Sequence, residues 1–306
     1  MPTILVTTPT GHIGSHVVAR LLAARGSVSV RVFLRDAGRL APDVRGRVEA
    51  REGTLEDSAA LADALRGADA AFFLVPPNAI APDWRAFIRR VGQAMADAAR
   101  AAGLRRAVFL SSLGAHREDL GPVSGLGEVE GILRAAVPDL AVLRPGYFFE
   151  NSFGTLATVP QSGSVFGAFP PALAFAQVAT CDIGDVAARW LLEAGWTGQP
   201  VVGVHGPRDV SMAEQARLIG EALGREVRYV EVPIDAVADA LRGMGMSASV
   251  VDGYRAMIGG YAASRFEHPE PRTPETTTPT EFGDWARAVL RPAFEAAGQH
   301  APATAA

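Results

Sequence analysis

The sequence predicts an α/β fold built on a doubly wound parallel sheet, and three observations lead to this prediction. Segments of strand length and of helix length alternate through the first half of a chain of 306 residues. The run 70–75 is apolar at every position, as in a parallel strand buried on both faces. The run 3–7, rich in β-branched residues, leads at once into a turn of small residues and then into a helical pattern.

Composition excludes several classes of protein. A net charge of -4 and a pI near 5.9 argue against nucleic acid or an acidic membrane surface as the main partner. The sole cysteine, Cys181, cannot form an intramolecular disulfide; we expect a buried small side chain, with a reactive thiol as the alternative. No apolar run reaches about 18 residues, and no basic leader segment is visible. We therefore expect a cytoplasmic protein, monomeric or homodimeric, without a membrane or nucleic-acid partner.

Every one of the 29 basic residues is an arginine. A guanidinium stays protonated, which excludes Schiff-base catalysis, a P-loop lysine and a Tyr-x-x-x-Lys pair. The chain has no Gly-x-Ser-x-Gly elbow, and its histidines show no metal-ligand spacing beyond His12 and His16, which lack an accompanying carboxylate cluster. Neither a hydrolase of that type nor a metal site is predicted.

The first turn, at 8–14, is the stretch around which the predicted sheet is arranged. Gly11 and Gly14 allow a backbone to approach a pyrophosphate closely, and the free amides at a helix N-terminus favour its negative charge. The usual fingerprint here has three glycines, and Thr8 stands at the first of these positions. The alternative is an ordinary turn between strand and helix, in which the glycines serve close packing.

A second predicted strand, 28–34, ends at Arg35 and Asp36, where nucleotide-binding folds recognise the adenosine ribose. A carboxylate there accepts a hydrogen bond from a free 2'-hydroxyl, whereas an arginine neutralises a 2'-phosphate. Arg35 precedes the carboxylate and Arg39 follows it, which favours the phosphate. The alternative is that both arginines are solvated surface residues.

Three more strands are predicted at 48–51, 70–75 and 107–110. Right-handed crossovers place the carboxyl ends of all parallel strands at one edge of the sheet. The segments that follow the strands therefore converge on one site: 7–14, Arg35, Thr54 and Leu55, 75–78, and 111–116. The alternative for Ser111 and Ser112 is a solvated loop.

The regular alternation ends in the second half. A sixth strand at 141–143 leads into an aromatic segment, 147–149, next to Asn151. Aromatic rings and an amide at a strand end can cover a flat nicotinamide and hydrogen-bond to it; the alternative is aromatic packing beneath a loop. The segment 154–175, rich in Gly, Pro and Phe, is predicted to be irregular and to face a substrate. The segment 266–280, dense in Pro and Thr, is predicted as a surface loop or flap.

Capping signals define the remaining elements. Asp182 is predicted as the N-cap of a helix, with Asp185 as a second structural carboxylate. Two boxes with Ser/Thr-x-x-Glu spacing, at 211–214 and 278–281, are each predicted to open a helix. Strands are predicted at 201–204 and 227–232, and helices at 83–102 (closed by Gly103), 214–223, 234–241, 250–258 and 281–296.

The chain carries several motifs in a characteristic order: Thr-x-x-Gly-x-x-Gly at 8–14, Leu-Arg-Asp at 34–36, Val-Pro-Pro at 75–77, Ser-Ser-x-Gly-Ala at 111–115, Arg-Pro-Gly-x-Phe-x-Glu-Asn at 144–151 and Asp-Ile-Gly-Asp-Val-Ala at 182–187. With these motifs it resembles the NmrA-like branch of the atypical short-chain dehydrogenase/reductases. The resemblance implies a Rossmann-type doubly wound sheet at 1–153, to which 178–205 returns, and a smaller α/β C-terminal lobe at 154–297 across a cleft. Residues 298–306 are expected to form a disordered tail.

The resemblance also implies NADP(H) as the cofactor and places residues of this chain around it. The pyrophosphate is expected against Thr8, Thr10, Gly11, His12, Ile13 and Gly14, and the 2'-phosphate against Arg35. The ribose is expected between Val75, Pro76 and Pro77, and the nicotinamide near Ser111, Ser112, Pro145 and Phe148. Thr54 and Leu55, at the same edge of the sheet, complete the prediction.

Two functions agree with this resemblance. The first is an NADPH-dependent oxidoreductase that transfers hydride to a small conjugated or aromatic substrate, such as a quinone or enone. The second is a non-catalytic NADP(H)-binding redox sensor that regulates a partner. The aromatic and aliphatic residues of the second half favour an apolar ligand in the cleft.

Few residues are candidates for catalysis. Many catalytic relatives carry a lysine where this chain has the segment 122–128, which argues against protonation of an alkoxide through Tyr and Lys. A reduced quinone oxygen is a weaker base, so Tyr147, His116 or solvent can act as the proton donor. Asn151 is a further candidate for catalysis. The alternative for His116 is an ordinary surface histidine.

Overall fold

The computed structural model describes residues 1–24 and 26–299. Within them, strands β1 to β12 span Thr3–Thr7, Ser29–Leu34, Glu49–Glu52, Ala70–Leu74, Arg106–Leu110, Asp139–Pro145, Tyr147–Phe148, Ser164–Gly167, Ala174–Val178, Val201–Val204, Asp209–Ser211 and Arg228–Glu231. Helices α1 to α12 span His12–Ala23, Pro42–Arg45, Ser58–Leu65, Trp84–Ala102, Pro122–Arg134, Val159–Ser162, Thr180–Leu192, Met212–Leu223, Ile234–Gly243, Ala248–Ser264, Phe282–Trp285 and Arg291–Gln299. There are 3₁₀ turns at Ala37–Arg39 and Phe149–Ala157 and a π-helical turn at Ala286–Leu290.

Seven strands form one parallel sheet in the order β10-β6-β5-β4-β1-β2-β3. This is the doubly wound arrangement, with β10 added beside β6. The order of the strands reverses between β1 and β4, so a crevice opens there at the carboxyl ends of the strands. The predicted Rossmann-type α/β fold is confirmed.

Both faces of the large sheet are buried. Adjacent residues of a strand point to opposite faces. Phe72 of β4 therefore packs in a layer with α1 and α7, whereas Phe73 packs in a layer with α3, α4 and α5. Neither ring has any exposed surface. A strand buried on both faces has to be apolar throughout, which is why the pattern of β4 shows no alternation.

Two helices have the ends that their capping signals predict. Asp83 caps α4 by accepting a hydrogen bond from the amide of Ala86 at 2.9 Å, and Gly103 closes that helix with a φ of 65°. Ser211 caps α8 by accepting from the amide of Glu214 at 3.2 Å. Local side-chain chemistry fixes these ends.

Two other predicted capping residues are wrong, although helices do begin near the predicted positions. Asp182 lies inside the first turn of α7 and is not its N-cap. Its carboxylate accepts hydrogen bonds from the amide and the hydroxyl of Thr280, at 3.1 and 2.7 Å. Thr278 does not cap α11, because its hydroxyl donates to the carbonyl of His205 at 3.0 Å. In both cases a partner distant in sequence takes the side chain away from local capping.

The second half forms a smaller α/β lobe from two short sheets and the helices α8 to α12. β7, β9 and β11 make a three-stranded sheet, and β8 pairs with β12 in a two-stranded one. The segment 154–175, predicted to be irregular, contains α6, β8 and the start of β9, so that prediction is wrong. Sequence patterns miss these strands because each is short and its partner lies far along the chain.

Residues 265–281, called the strap below, connect α10 to α11. The strap contains no helix or strand and is partly exposed, as the predicted surface loop requires, but it is also bound to the sheet. The amide of His205 donates to the carbonyl of Thr276 at 2.9 Å, and the amide of Thr278 donates to the carbonyl of His205 at 2.7 Å. Glu270, in the middle of the strap, is buried.

The carboxyl-terminal helix α12 runs to Gln299, and residues 300–306 of the expected tail lie outside the described residues. No helix in the described part of the chain has the length and apolar character needed to cross a bilayer. Within 178–205, α7 packs against α1, and β10 extends the large sheet. The division of the chain into domains at residue 153 stays a prediction.

Candidate active site

The turn after β1 is the first part of the candidate site. Thr8 has a φ of 53°, in the left-handed region that favours glycine, so its backbone keeps the conformation of the glycine that it replaces. Its hydroxyl donates to the carbonyl of Thr7 at 2.7 Å, and its own carbonyl accepts from the amide of Gly11 at 3.2 Å. Short-range hydrogen bonds therefore hold the turn in the predicted shape.

Gly14 brings the first turn of α1 close against this loop. A Cβ atom at Gly14 would lie 2.1 Å from the carbonyl oxygen of Thr8, whereas one at Gly11 would lie 3.7 Å from it. No residue in the first turn of α1 is acidic, so no carboxylate opposes the positive end of the helix dipole. The turn therefore forms a cradle suited to an anion.

The other residues of the pyrophosphate prediction differ in burial. Thr10 and His12 are exposed at the rim of the turn, whereas Ile13 is buried in the core of the sheet. The ring of His12 stacks on Phe153, with 5.9 Å between centroids. A pyrophosphate in the cradle would therefore meet the exposed side chains and the backbone of Ile13, and these contacts stay predictions.

Thr7 joins β1 to β4 at the point where the sheet order reverses. Its buried hydroxyl donates to the carbonyl of Phe72 at 2.9 Å and accepts from the amide of Leu74 at 3.2 Å. Sequence reasoning did not single out Thr7. A polar residue at the end of an otherwise apolar strand was the available signal, because a buried hydroxyl needs partners.

The end of β2 leaves its arginines free and its carboxylate occupied. Asp36 accepts a hydrogen bond from the amide of Gly38 at 2.8 Å and so caps the following 3₁₀ turn. Arg35 and Arg39 are exposed, and among the described residues neither makes a hydrogen bond or ion pair with its side chain. Two free guanidiniums beside an occupied carboxylate favour a 2'-phosphate over a 2'-hydroxyl.

Two loops flank the crevice. Val75 and Pro76 are half-buried and Pro77 is exposed after β4, while the exposed Thr54 and the half-buried Leu55 follow β3. Leu55 and Val75 pack against the same apolar layer of the sheet. All five lie at the carboxyl edge, as the sequence predicts, and their contacts with a cofactor stay predictions.

The two serines after β5 face different surroundings. Ser111 is buried, and its hydroxyl donates to the carboxylate of Glu130 at 2.5 Å. Ser112 is half-buried; its hydroxyl has a long hydrogen bond of 3.4 Å to the carbonyl of Leu113 and also bonds to the side chain of Tyr261. Of the two serines, Ser112 is the one with exposed surface that a ligand can reach.

The remaining residues predicted near the nicotinamide lie at two places. Pro145 is buried at the end of β6, and the half-buried Phe148 packs against the apolar layer formed with α1 and α7. His116 is exposed at the end of the loop after β5. Its role as a proton donor stays a prediction.

Tyr147 and Asn151 form a hydrogen-bonded pair next to the end of β6. Burial raises the pKa of Tyr147 to about 12, and the hydrogen bond with the Asn151 side chain acts in the opposite direction. A hydrogen bond that lowers the pKa of a phenol is one that its oxygen accepts. The hydroxyl of Tyr147 therefore stays protonated at neutral pH, and its proton is available to an acceptor.

Tyr147 is also the first ring of an aromatic wall. Its edge packs on Phe175 with 5.6 Å between centroids, and Phe266 stacks on Phe175 at 3.8 Å. Tyr261 in turn stacks on Phe266 at 4.3 Å. We call these four residues the aromatic wall. It joins the end of β6, the small lobe and the strap in one apolar surface.

A buried ionic cluster lies beneath the wall. Arg144 of β6 contacts Glu130 of α5 at 2.7 Å and Glu270 of the strap at 2.5 Å. Burial acts to lower the pKa of Arg144, but its hydrogen bonds to the two carboxylates outweigh that effect and raise it. Sequence reasoning missed this cluster. The signal was a charged residue within the apolar strand β6, because a buried charge requires a partner.

A pair of histidines adjoins this cluster. His205 is fully buried, and its ring stacks on His268 of the strap with 5.1 Å between centroids. Burial lowers the pKa of His205 to about 4, and burial also lowers the pKa of His268. Both rings are therefore neutral at pH 7.

Two polar residues of α7 have structural surroundings. Asp185 binds His16 at 2.7 Å and Arg20 at 2.6 Å, so it links α7 to α1 as predicted. Burial acts to raise its pKa, but the hydrogen bonds from Arg20 and His16 outweigh this and lower it. Cys181 is half-buried, and burial raises the pKa of its thiol to about 11. Among the described residues, no group of three His, Cys, Asp or Glu side chains is arranged to hold a metal ion.

The cradle formed by 8–14 lies where the strand order of the doubly wound sheet reverses, between β1 and β4. An anion cradle at this position defines a dinucleotide-binding protein. The chain belongs to the NAD(P)H-binding family, whose model matches residues 9–188. The predicted nicotinamide dinucleotide is thereby confirmed. Solved structures of NmrA share the fold of this chain, at 19 and 20% identity, as expected from the resemblance.

Two curated relatives exceed 30% identity. The chain is 31% identical over 256 residues to the NAD(P)H azoreductase of Xenophilus azovorans, covering 81% of this chain and 84% of the relative. It is 34% identical over 245 residues to a (4-alkanoyl-5-oxo-2,5-dihydrofuran-3-yl)methyl phosphate reductase of Streptomyces griseus, covering 78% and 80%. These relatives confirm the predicted class, an NAD(P)H-dependent oxidoreductase.

A solved structure shows the same fold. The NADPH-dependent quinone oxidoreductase of Escherichia coli, solved with NADPH, superposes with a TM-score of 0.78 over 94% of this chain and 99% of the other, at 21% identity. The residues of this chain fit such a cofactor in one testable respect. The space in front of Gly14 admits no Cβ atom, which is the close packing expected of a loop that cradles a pyrophosphate.

Proposed function

We propose that this protein reduces small conjugated or aromatic acceptors, such as quinones, azo compounds or enones, with NADPH. The observation that carries the proposal is the place of Tyr147. Its protonated hydroxyl lies where the end of β6 meets the aromatic wall, and Asn151 occupies its oxygen. The two curated relatives, named for azo and dihydrofuranyl reduction, support this class of acceptor.

Preference for NADPH over NADH is part of the proposal. The cradle formed by 8–14 would hold the pyrophosphate, and Arg35 would neutralise the 2'-phosphate. Oδ1 of Asp36 accepts the amide of Gly38 within its own turn, and the nearby Arg35 carries the charge that a phosphate requires. The exposed guanidinium of Arg35 therefore supplies the recognition.

Each group at the site has a separate role in the reaction. Bound NADPH supplies the hydride, which carries both electrons and one hydrogen to the acceptor. Tyr147 donates the one proton that completes a hydroquinone or a hydrazine, and it recovers that proton from solvent. Asn151 holds the phenolic oxygen in place, and the aromatic wall keeps a planar acceptor against Tyr147 and excludes water.

Turnover of NADPH with a panel of acceptors tests the proposal. We expect oxidation of NADPH, followed at 340 nm, with 1,4-benzoquinone, 1,4-naphthoquinone and an azo dye. Tyr147→Phe is expected to lower kcat about tenfold to a hundredfold for the azo dye, since one general acid is lost, while the Kd for NADPH stays unchanged. Tyr254→Phe is measured alongside, because the charge of Tyr254 acts to raise the pKa of Tyr147 and this variant shows whether a neighbouring tyrosine supplies the proton.

Binding of NADPH without turnover of any acceptor would contradict the proposal. It would instead favour the non-catalytic regulator, which uses the same cradle and needs no proton donor. If kcat is equal in Tyr147→Phe and the wild type, the reductase activity stands but Tyr147 is not the proton donor. His116 would then be tested as the donor.

Cytoplasmic location, a monomeric or homodimeric state and the absence of a nucleic-acid partner belong to the same proposal. The net charge of -4 supports the last of these. Light scattering coupled to gel filtration, with and without NADPH, measures the oligomeric state. A tetramer or larger species would contradict the expectation.

A further inference from the structure

Phe266 of the strap lies between two other rings of the aromatic wall. Its ring is nearly parallel to that of Phe175, at 3.8 Å and 17°, and to that of Tyr261, at 4.3 Å and 9°. In the described part of the chain no ring contact joins Phe175 directly to Tyr261, so Phe266 bridges them. Phe175 and Tyr261 are buried while Phe266 is half-buried, so Phe266 is the ring of this stack that a small molecule can reach.

The stack adjoins the proposed reaction centre on both sides. Phe175 packs against the candidate proton donor Tyr147. The hydroxyl of Tyr261 donates to the carbonyl of Leu113, directly after Ser112 in the loop that follows β5. The ring of Phe266 therefore lies between the two segments that are expected to border a planar acceptor.

Phe266 directly follows the C-cap of α10. Arg265 and Phe266 have φ values of 52° and 58°, and local hydrogen bonds hold this turn: the amide of Arg265 donates to the carbonyl of Ala262 at 3.4 Å, and the amide of Phe266 donates to the carbonyl of Tyr261 at 3.2 Å. Contacts from other parts of the chain hold the ring and the segment that follows it. The stacking partners of Phe266 supply one part of these contacts.

Glu270 supplies the other part. Its carboxylate contacts Arg144 at 2.5 Å, and the side chains of both residues are less than one-tenth exposed. Glu130 holds the other side of Arg144, so the guanidinium cannot follow the strap if the strap moves. The strap is thus anchored to β6 four residues after Phe266.

We infer that Phe266 is a specificity-determining residue that limits the size of the acceptor, and that Glu270 is the positioning residue that holds it. This inference rests on the proposed function, because it specifies the acceptor of the same reaction. The phenyl ring fills the space between Phe175 and Tyr261 and so closes one end of the acceptor site. A smaller side chain at this position opens a slot one ring deep between two aromatic faces.

The test compares a one-ring and a three-ring acceptor, 1,4-benzoquinone and 9,10-phenanthrenequinone. In Phe266→Ala we expect the ratio of kcat/KM for the three-ring over the one-ring quinone to rise about tenfold, because the extra ring gains apolar contact in the opened slot. The KM for NADPH should not change. Phe294→Ala is the matched control, since that half-buried ring packs in a different apolar cluster.

Glu270→Gln tests the positioning role. We expect the KM for both quinones to rise about fivefold. The ratio of kcat/KM for the three-ring over the one-ring quinone should rise, as in Phe266→Ala. Glu270→Asp should recover part of both changes. Glu128→Gln is the control, because that carboxylate is also paired with arginine side chains, those of Arg85 and Arg89, away from the wall.

The outcomes separate this inference from the proposed function. Failure of the wild type to oxidise NADPH with any acceptor rejects the proposed function. The inference alone is rejected if the wild type turns over but Phe266→Ala does not raise the size ratio, which is kcat/KM for the three-ring quinone divided by kcat/KM for the one-ring quinone. If Phe266→Ala does not fold, judged by circular dichroism, Phe266→Leu replaces it, because leucine stays apolar but is smaller than the phenyl ring and opens part of the slot. Its size ratio must then rise above that of the wild type, and an unchanged ratio again rejects the inference.

Discussion

The non-glycine residues with positive φ, within the described chain, lie in two regions of the molecule: Thr8 in the cofactor turn, and Arg265 and Phe266 in the strap. In both regions local hydrogen bonds hold the backbone: the amide of Gly11 donates to the carbonyl of Thr8, and the amides of Arg265 and Phe266 donate to carbonyls of the last turn of α10. The two regions differ in what holds the side chains. The hydroxyl of Thr8 bonds to its neighbour Thr7, whereas the strap is held by rings and charges from β9, α10 and β6, up to 126 residues away along the chain. A local turn is visible in a sequence, but the distant contacts that hold a segment in place are not.

The largest expected effect tests how strictly the turn is packed. Gly14→Ala places a Cβ atom 2.1 Å from the carbonyl of Thr8, a backbone atom that cannot move aside. We expect a loss of about 3 kcal/mol in the free energy of unfolding and no measurable NADPH binding. Gly11→Ala is the control, because its Cβ has 3.7 Å of space; we expect a change below about 1 kcal/mol. Urea unfolding and NADPH fluorescence measure both, and equal losses in the two variants would show that the turn adapts.

The next effect concerns the charge beside the turn. Arg35→Ala should weaken NADPH binding about 30-fold and leave NADH binding unchanged, because a single charge-assisted contact to phosphate is lost. Titration calorimetry with both dinucleotides gives the ratio of the two Kd values. Arg39→Ala shows whether the second arginine shares this role. An unchanged ratio in Arg35→Ala would remove the phosphate contact from the proposal.

A pH series tests the strap, which packs on a buried histidine. Because burial lowers the pKa of His205 to about 4, the folded protein binds fewer protons than the unfolded chain between pH 6.5 and 4. Stability from this group is complete above pH 6.5 and is lost as the pH falls toward 4. We expect the wild type to lose about 2 kcal/mol between pH 7 and pH 5 through His205, and His205→Asn to be less sensitive by that amount. Parallel pH slopes for the two proteins in urea unfolding would contradict this account.

The smallest effect compares the two strained positions directly. Thr8→Gly and Arg265→Gly should each raise the free energy of unfolding by about 1 kcal/mol, because glycine adopts positive φ without strain. Thermal unfolding measures both. Thr8→Gly should change the Kd for NADPH by less than about threefold. A marked tightening would show instead that threonine weakens the hold on the cofactor, which would favour the regulator function.

Much of the fold follows from the sequence because its evidence is local. The apolar run of β4 and the caps of α4 and α8 depend on residues within a few positions of one another. The turn at 8–14 has the shape that its motif requires, with Thr8 in the glycine conformation. The rule that parallel strands end at one edge then brings the cofactor candidates together without any knowledge of side-chain contacts.

The rest of the site was not predictable because its evidence is long-range. Asp182 has the sequence context of a helix cap, but its carboxylate binds Thr280 in the last part of the chain. The strap has the composition of a free loop, yet Glu270 anchors it to Arg144. Hydrophobic periodicity and capping rules describe neighbours in sequence, and they contain no term for partners a hundred residues away.

By itself, the sequence determined the doubly wound fold, the NAD(P)H class and the position of the turn that cradles the cofactor, because hydrophobic patterns, glycines and strand ends act locally. The tertiary structure alone decided that Ser111 turns inward to Glu130, that Tyr147 pairs with Asn151, and that the strap carries Phe266 into the aromatic wall. The physical reason is that a side chain's partner is chosen by burial and charge in the folded chain. Those quantities exist only once the sheet, the small lobe and the strap have come together.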